Sequence, residues 1–382
     1  MFTRRNFLKT GALAFAATAV SNPVKLFAQT GKAKGASKKM EFSFQPFEAK
    51  YHYTFTISNF SRNSTPGILT KISYDGYTGY GEASMPPYLG EGQASATAFL
   101  QRVDLSRFNS PFEIEDIMTY LEGISTNNTA AKASVDIALH DLVGKIMGQP
   151  WWRIWGFNPN TTPNTCMTIG LDSEEVVRKK TLEAAHFNVL KVKLGMDEAK
   201  DKMMINTIRS VSNTPIFVDA NQGWKEKNYA LEMIHWLKER GVVMIEQPMP
   251  KLWLDEAAWV TERSPLPVIA DESCQRLSDV PKLKGAFDGI NIKLMKCTGL
   301  REAREMISLA QSFRMRLMVG CMSETSCGIS AAAQITPKME WADLDGNMLI
   351  SNDVFNGMKF PDGIITLSEK PGIGAEPIKE YR

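Results

Sequence analysis

The sequence is poor in the residues that many catalytic and metal sites use. It has four histidines and five cysteines among 382 residues. The cysteines are odd in number and form no Cys-x-x-Cys pair, so we expect neither a disulfide framework nor a zinc site. Of the histidines, His140 and His235 lie inside helical patterns, and none of the four stands at the end of a strand-like segment. A Ser-His-Asp triad or a histidine proton shuttle is therefore disfavoured.

The sequence also lacks an excess of charge of either sign. It has 44 Lys plus Arg against 42 Asp plus Glu, a net charge of +2. The first 28 residues carry four cations and no acid, so their removal leaves a net charge of −2. A chain this close to neutrality has no global field to hold nucleic acid or an anionic membrane. With 43% apolar residues, extensive disorder is excluded as well.

The sequence has no apolar run of the roughly 20 residues that span a bilayer. Its notable apolar run, Ala12 to Val20, is shorter than that. This run follows Arg4-Arg5-Asn6-Phe7-Leu8-Lys9. The pattern predicts a twin-arginine export signal over residues 1–28 and a flexible leader over residues 29–39. An uncleaved membrane anchor is the alternative. We expect an exported, periplasmic protein with no stable membrane insertion after signal removal.

Residues 40–155 contain short alternating segments followed by helical patterns. Asp75-Gly76 stands between Tyr74 and Tyr77 and predicts a hairpin. Apolar residues then repeat at helical spacing up to Gly148. This region is expected to be a small α+β domain.

Residues 156–346 have a different sequence pattern, in which short β-rich segments alternate with amphipathic helical segments. The predicted strands are Thr165–Ile169, Val189–Leu194, Ile216–Ala220, Val242–Ile245, Val268–Ala270, Gly289–Leu294, Leu317–Gly320 and Ala342–Leu344. Eight strand-helix units predict a (β/α)8-type barrel. An open doubly wound sheet is the alternative, but no Gly-x-Gly-x-x-Gly follows a strand. Residues 347–382 are expected to pack back on the first domain.

Acidic residues follow three consecutive predicted strands. Asp219, Glu246 and Asp271 are 27 and 25 residues apart, about one strand-helix unit each. In a barrel, the C-terminal ends of neighbouring strands would bring these carboxylates to one spot, where like charges need a cation. Oxygen-only ligands favour Mg²⁺. The alternative is that each acid caps a helix or pairs with an arginine.

Lysines occupy two other strands. Lys193 and Lys293 lie on the second and sixth of the eight predicted strands, on opposite sides of the barrel mouth. A lysine buried near other cations has a lowered pKa and can act as a base, and Lys191 is the candidate that would lower the pKa of Lys193. Lys191 and Lys193 share one strand face. The alternative is a solvated surface group, which is our interpretation of Lys296.

Together these segments resemble the enolase superfamily, specifically its muconate-lactonising-enzyme-like subgroup, over roughly residues 40–375. The matching segments are Gly79-Tyr80-Gly81-Glu82-Ala83, Ala138-Leu139-His140-Asp141-Leu142, Lys191-Val192-Lys193, Val218-Asp219-Ala220-Asn221, Glu246-Gln247-Pro248, Ala270-Asp271-Glu272-Ser273 and Asn291-Ile292-Lys293-Leu294-Met295-Lys296. The resemblance implies a modified (β/α)7β TIM-type barrel with an α+β capping domain formed by the N-terminal region and the C-terminal tail. It also implies one Mg²⁺ per subunit on Asp219, Glu246 and Asp271, with Lys193 and Lys293 as the acid/base pair.

The implied chemistry is a 1,1-proton transfer through an enediolate. One lysine removes the proton next to a carboxylate and the other returns a proton to the opposite face. Asp343-Leu344-Asp345 resembles the Asp-x-Asp of the dipeptide epimerases, whose pair binds the α-ammonium of the substrate. An Asx turn before Gly346 is the alternative. Lys191 and Glu324 are further expected substrate-binding residues.

The expected substrate is a dipeptide, L-Ala-D/L-Glu from murein peptide. Arg62, in a predicted loop from Asn59 to Thr65, is the candidate partner for an acidic second residue of the substrate. The alternative is that Arg62 is a solvated loop arginine without a role in binding. The segment from Asp271 to Lys293 is short for the family, so Lys296 is a fallback for Lys293. A homo-oligomer is possible.

Two other functions remain open from the sequence. The same scaffold could carry out a β-elimination or cycloisomerisation, as in an o-succinylbenzoate synthase, with one lysine as base and the other as a passive cation. The chain could also be an exported peptide-binding protein without catalytic activity.

Overall fold

The computed structural model describes residues 39–57 and 60–378. The predicted export signal and all but the last residue of the predicted leader lie outside the described residues. The described residues all belong to one compact unit of the chain.

The N-terminal part is an antiparallel sheet covered by helices. Its strands are β1 (Glu41–Ile57), β2 (Phe60–Tyr74) and β3 (Tyr77–Ser84), paired in that order. Asp75 and Gly76 have φ angles of +53° and +81°, which confirms the predicted hairpin. The helices are α1 (Gln93–Leu100), α2 (Ile114–Ile124), α3 (Thr129–Met147) and α4 (Trp151–Ile154). We call this part the cap.

The second part is a barrel of eight parallel strands whose order in the sheet follows the chain. The strands are β4 (Met167–Ile169), β5 (Leu190–Lys193), β6 (Ile216–Asp219), β7 (Val242–Glu246), β8 (Val268–Ala270), β9 (Gly289–Ile292), β10 (Arg316–Gly320) and β11 (Trp341–Asp343). A parallel bridge between Thr165 and Ala342 joins the first strand region to the last. The Cys166 backbone N–H also donates to the Ala342 carbonyl at 3.2 Å.

Seven helices connect these strands. They are α5 (Glu174–Glu183), α6 (Glu198–Arg209), α7 (Lys227–Lys238), α8 (Leu254–Arg263), α9 (Val280–Leu283), α10 (Leu300–Ser312) and α11 (Ser326–Ala333). A 3₁₀ turn, Gly346–Met348, follows β11 where an eighth helix would begin. The barrel is therefore (β/α)7β, and the expected eight complete units are reduced by one. Helix α9 has only four residues, which explains the short segment between Asp271 and Lys293.

The two-residue period of the strands decides which side chains reach the barrel mouth. One separate apolar cluster contains Phe217, Met244 and Ile269, from three neighbouring strands. Asp219, Glu246 and Asp271 each come two residues after one of these apolar residues, at or just beyond the end of the strand. The acids therefore continue the interior face of the barrel, whereas intervening residues such as Val218 pack in another cluster, under the helices.

The C-terminal segment holds a short hairpin of β12 (Phe355–Asn356) and β13 (Glu376–Pro377). It contacts the cap, since the Gly372 N–H donates to the Gln149 carbonyl at 3.1 Å. Among the described helices, none combines the length and apolar character needed to cross a bilayer. All five cysteines are free thiols, as the sequence predicts.

Candidate active site

Three acids meet at the C-terminal ends of β6, β7 and β8. Asp219, Glu246 and Asp271 each place a carboxylate oxygen within 4.8 Å of the others. None of the three residues is more than 1% exposed. The strand register aligns Asp219 with Glu246, so neighbouring strands present these two side chains at one height. An all-oxygen, buried set of three carboxylates fits a hard divalent ion such as Mg²⁺.

Two lysines flank these acids from opposite strands. Lys193 ends β5, and Lys293 directly follows β9. Three strands separate β5 from β9 in either direction around the barrel. The Lys193 Nζ lies 2.6 Å from Asp219 Oδ2, and the Lys293 Nζ lies 2.7 Å from Asp271 Oδ2. The structure thus brings the two predicted acid/base groups to either side of the acids.

Lys191 lies deeper, among three carboxylates. Its Nζ is 2.6 Å from Asp343 Oδ2, 2.7 Å from Glu246 Oε2 and 3.2 Å from Asp219 Oδ2. Burial lowers the pKa of Lys191, but these carboxylates outweigh burial and hold the pKa well above its ordinary value. Lys191 is therefore a fixed positive charge beneath the site.

The acids titrate differently because their neighbours differ. Burial and the adjacent Asp219 raise the pKa of Glu246 to about 7. Burial also raises the pKa of Asp271, but Lys293 and Lys296 outweigh it and hold that pKa well below its usual range. Glu246 is therefore the member of the set whose charged form would gain most from a bound cation.

Two expectations about lysine were wrong. The pKa of Lys293 is well above its ordinary value, since the attraction of Asp271 outweighs the effect of burial. Lys296 is 1% exposed rather than a surface group. Its Nζ donates to the carbonyl and Oδ1 of Asp271 at 2.7 and 2.5 Å and to the Asn291 carbonyl at 3.0 Å. Lys296 thus holds the loop after β8, and Lys293 is the lysine that lines the cavity.

A small cavity at the barrel mouth contains most of the predicted site. Six of the ten predicted site residues line it: Arg62, Lys193, Asp271, Lys293, Asp343 and Asp345. Lys191, Asp219 and Glu246 are buried beneath these residues. A larger cavity of about 490 Å³ lies beside it, between β1 and α5, and none of the ten lines that cavity. The small cavity is therefore the candidate active site.

The two acids at the end of β11 stand at the edge of this cavity. Asp343 Oδ1 accepts from the Cys166 thiol at 3.3 Å, and Asp345 Oδ2 accepts from the Thr168 N–H at 2.7 Å. Burial raises the pKa of Asp343, but Lys191 outweighs it and lowers that pKa to about 2. Burial and the neighbouring Asp343 raise the pKa of Asp345 to about 7. A cationic ligand group would relieve this repulsion.

Arg62 lies in strand β2, so the predicted loop from Asn59 to Thr65 is wrong. The arginine is half-buried at the cavity wall rather than solvated. Its guanidinium carbon lies 5.9 Å from the centre of the Tyr51 ring. The long β1–β2 hairpin thereby brings a cation over the barrel mouth.

Glu324 occupies a different place from the one expected. It is 1% exposed, and its Oε1 accepts from the Met322 N–H at 2.7 Å. The cavity is lined by Met322 and Ser323 rather than by Glu324. Burial and the nearby Glu82 raise the pKa of Glu324 to about 8. Glu324 therefore belongs to the support behind the cavity wall.

Sequence reasoning gave no role to Tyr88 or Glu272, both of which line the cavity. The Tyr88 hydroxyl donates to Met322 Sδ at 2.9 Å. Glu272 Oε1 accepts from the Asn221 Nδ2 at 3.3 Å. The position of Glu272 directly after the predicted metal ligand Asp271 could have indicated a place in the site. Tyr88 comes from the cap, and no local sequence pattern indicates that it reaches the cavity.

Known proteins resemble this chain along nearly its whole length. Residues 44–156 match the family described as mandelate racemase / muconate lactonizing enzyme, N-terminal domain, and residues 174–381 match the family described as enolase C-terminal domain-like. The L-Ala-D/L-Glu epimerase of Bacteroides thetaiotaomicron is 57% identical, over 99% of this chain and 100% of that protein.

Solved structures agree. A dipeptide epimerase from Enterococcus faecalis, complexed with Mg and L-Leu-L-Tyr, is 30% identical with a TM-score of 0.82, over 89% of this chain and 99% of that chain. A substrate-liganded L-Ala-D/L-Glu epimerase from Bacillus subtilis is 28% identical, also with a TM-score of 0.82, over 88% and 98% of the two chains.

Proposed function

Because the chain belongs to the enolase superfamily and, within it, to the dipeptide epimerases, we propose that it inverts the Cα of the C-terminal residue of dipeptides in a Mg²⁺-dependent reaction. The proposed substrates carry an acidic second residue, as in L-Ala-L-Glu and L-Ala-D-Glu. The observation that carries this proposal is the position of Lys193 and Lys293 on opposite strands around three buried acids.

Asp219, Glu246 and Asp271 would hold the Mg²⁺ ion. When bound, the ion supplies a fixed positive charge that stabilises the negative charge developing on the substrate carboxylate as the α-proton leaves. Lys191 adds a second fixed positive charge, since its ammonium lies 2.7 Å from Glu246 and 3.2 Å from Asp219. Lys191 therefore supports charge at the carboxylate end of the substrate.

Lys193 and Lys293 would exchange roles between the two directions of the reaction. The lysine that faces the α-hydrogen of one epimer takes that proton, and the lysine on the other side donates a proton to the opposite face. Lys193 and Lys293 are 8% and 5% exposed, so bulk water has little access to either amine. Proton transfer from two sides inverts the carbon.

Asp343 and Asp345 would recognise the α-ammonium of the dipeptide. Burial of two carboxylates without enough positive charge is costly, as the raised pKa of Asp345 indicates. Since Lys191 bonds only Asp343 of the two, an ammonium placed beside Asp345 would complete the pairing. A free N-terminus is thus required of the substrate.

We also propose a place for the reaction in the cell. A dipeptide of alanine and glutamate is part of murein peptide, and the predicted twin-arginine signal would deliver the enzyme outside the cytoplasm, where murein lies. The enzyme would then act in the reuse of murein peptide fragments.

The substrate class is tested with Arg62. Arg62→Met is expected to lower kcat/KM for L-Ala-L-Glu by about 10- to 100-fold, because a charge-assisted hydrogen bond contributes about 1.5–3 kcal/mol. The isosteric, neutral L-Ala-L-Gln should change little. Arg107→Met is the matched control, because Arg107 also lies over a tyrosine ring of the cap, 4.8 Å from the Tyr120 centroid, but is exposed outside the cavity.

Epimerisation is followed in the full chain with Mg²⁺ by the change in optical rotation. Failure of the wild-type enzyme to epimerise L-Ala-L-Glu would remove the proposed function. Equal losses on both dipeptides in Arg62→Met would instead remove only the assignment of the acidic side chain to Arg62.

A further inference from the structure

A buried carboxylate of the cap bonds the start of a barrel helix. Glu82, in β3, is 1% exposed. Its Oε1 accepts from the Thr325 N–H at 2.8 Å, and its Oε2 accepts from the Thr325 hydroxyl at 2.5 Å and from the Gly328 N–H at 3.1 Å. Thr325 caps α11 and Gly328 lies in its first turn. One cap side chain therefore supplies several acceptor bonds to the N-terminus of α11, where N–H groups lack partners within the helix.

A second bond from the same strand fixes the loop just before this helix. The Ser84 hydroxyl donates to the Ser323 carbonyl at 2.8 Å. Glu82 and Ser84 lie two residues apart and share one face of β3. The loop between β10 and α11 is thus tied to the cap at Ser323 and at Thr325. Ser323 is also a residue of the cavity wall.

The contacts continue from this loop to the β1–β2 hairpin. The Ser323 hydroxyl and the Tyr51 hydroxyl are 2.6 Å apart, and the Tyr51 hydroxyl is also 2.6 Å from Thr65 Oγ1. The Tyr51 ring is the one beneath the Arg62 guanidinium. Glu82 is therefore connected to Arg62 through Thr325, Ser323 and Tyr51.

Burying a carboxylate has a free-energy cost, which is lowered only when the group is fully hydrogen-bonded. Burial has the largest effect on the pKa of Glu82 and raises it to about 7. The hydrogen bonds from Thr325 and Gly328 lower this pKa but do not outweigh burial. Glu324 is buried close by, and burial together with the neighbouring Glu82 raises the pKa of Glu324. Glu82 is thus held at an energetic cost at the junction that carries the cavity wall.

We propose that Glu82 is a positioning residue for substrate recognition: it fixes the β10–α11 loop and, through Ser323 and Tyr51, the place of the Arg62 guanidinium. This inference rests on the proposed role of Arg62 in binding the acidic second residue. Glu82 does not touch the substrate or the reacting atoms. Its loss should weaken recognition of glutamate and leave the proton-transfer groups in place.

The test compares Glu82→Ala with Glu122→Ala in the full chain with Mg²⁺. Glu122 is the matched control, because it also bonds from the cap to the barrel, 2.7 Å from Arg276, at a place away from the β10–α11 loop. We expect Glu82→Ala to raise KM for L-Ala-L-Glu about 10-fold with kcat changed less than about 3-fold. The preference for L-Ala-L-Glu over L-Ala-L-Gln should shrink by about the same factor of 10. Glu122→Ala should keep the wild-type preference.

A double-mutant cycle with Arg62→Met separates positioning from general loosening. If Glu82 acts through Arg62, Glu82→Ala lowers the preference for L-Ala-L-Glu over L-Ala-L-Gln in the wild-type background. The same substitution then leaves this preference unchanged in a chain that already carries Arg62→Met. An unchanged preference in folded Glu82→Ala, or additive effects of the two substitutions, would overturn the inference. Should Glu82→Ala fail to fold, Ser84→Ala and Ser323→Ala, which each remove one bond of the same series, are measured instead under the same criteria. If the wild-type enzyme is inactive on L-Ala-L-Glu, the proposed function is wrong. If the wild-type enzyme is active and the variants keep its substrate preference, only this inference is wrong.

Discussion

Lys293→Ala is expected to abolish epimerisation, lowering kcat by at least about 10³-fold, while exchange of one epimer's α-proton with solvent continues. Lys193 remains in this variant and can still take the hydrogen that faces it and return a solvent proton to the same face. Lys193→Ala should show the reverse, with exchange of the other epimer. The measurement is Cα deuterium uptake into L-Ala-L-Glu and L-Ala-D-Glu in D₂O, recorded by NMR.

The physical reason is the placement of the two amines at the ends of strands β5 and β9, which have three strands between them in either direction around the barrel. Each amine reaches one face of a carbon held between them. Lys132→Met is the control, because Lys132 is also fully buried and bonds a carboxylate, 2.7 Å from Glu122, but lies in the cap. Retained epimerisation in either catalytic variant, or exchange of the same epimer in both, would contradict the two-sided arrangement. An elimination reaction would produce neither pattern.

Removal of divalent ions is expected to stop the reaction, and added Mg²⁺ to restore it. Glu246→Gln should lower kcat by about 10³-fold, comparable to losing a major electrostatic stabiliser of the transition state. The reason is that Glu246 is fully buried beside Asp219 and supplies one of the three carboxylates that would hold the ion. Activity is measured after dialysis against EDTA and again after titration with Mg²⁺.

Thermal unfolding gives an independent measure of the metal site. An ion that binds only the folded chain raises its stability. Mg²⁺ should therefore raise the Tm of the wild-type protein, and the shift should be lost in Glu246→Gln and kept in Glu122→Gln. A Tm that does not respond to Mg²⁺, or activity that survives EDTA, would rule out the proposed metal role of the three acids.

The barrel and the central acids could be predicted because they follow local rules. Strand period places Phe217 and Asp219 on one face, and the same two-residue step relates Met244 to Glu246. The regular spacing of strand-helix units then brings the strand ends together. The missing eighth helix and the single turn of α9 could not be read from periodicity, because short helical segments leave weak patterns.

The errors concern residues whose environment is set by distant parts of the chain. Lys296 is buried because it reaches the carbonyl of Asp271, 25 residues earlier. Arg62 reaches the cavity because the hairpin extends over the barrel mouth, and Glu324 is absent from the cavity wall because its carboxylate accepts from the Met322 N–H in the loop behind that wall. Such contacts depend on tertiary packing and leave no signal in local sequence.

The most direct test of the account is the isotopic composition of the first product formed in D₂O. The full chain with Mg²⁺ is given unlabelled L-Ala-L-Glu, and the reaction is stopped within the first few per cent of conversion. If one lysine removes the proton and the other supplies one from solvent, the L-Ala-D-Glu formed carries deuterium at the glutamate Cα. A D-epimer that retains the original protium would contradict proton transfer between two facing amines.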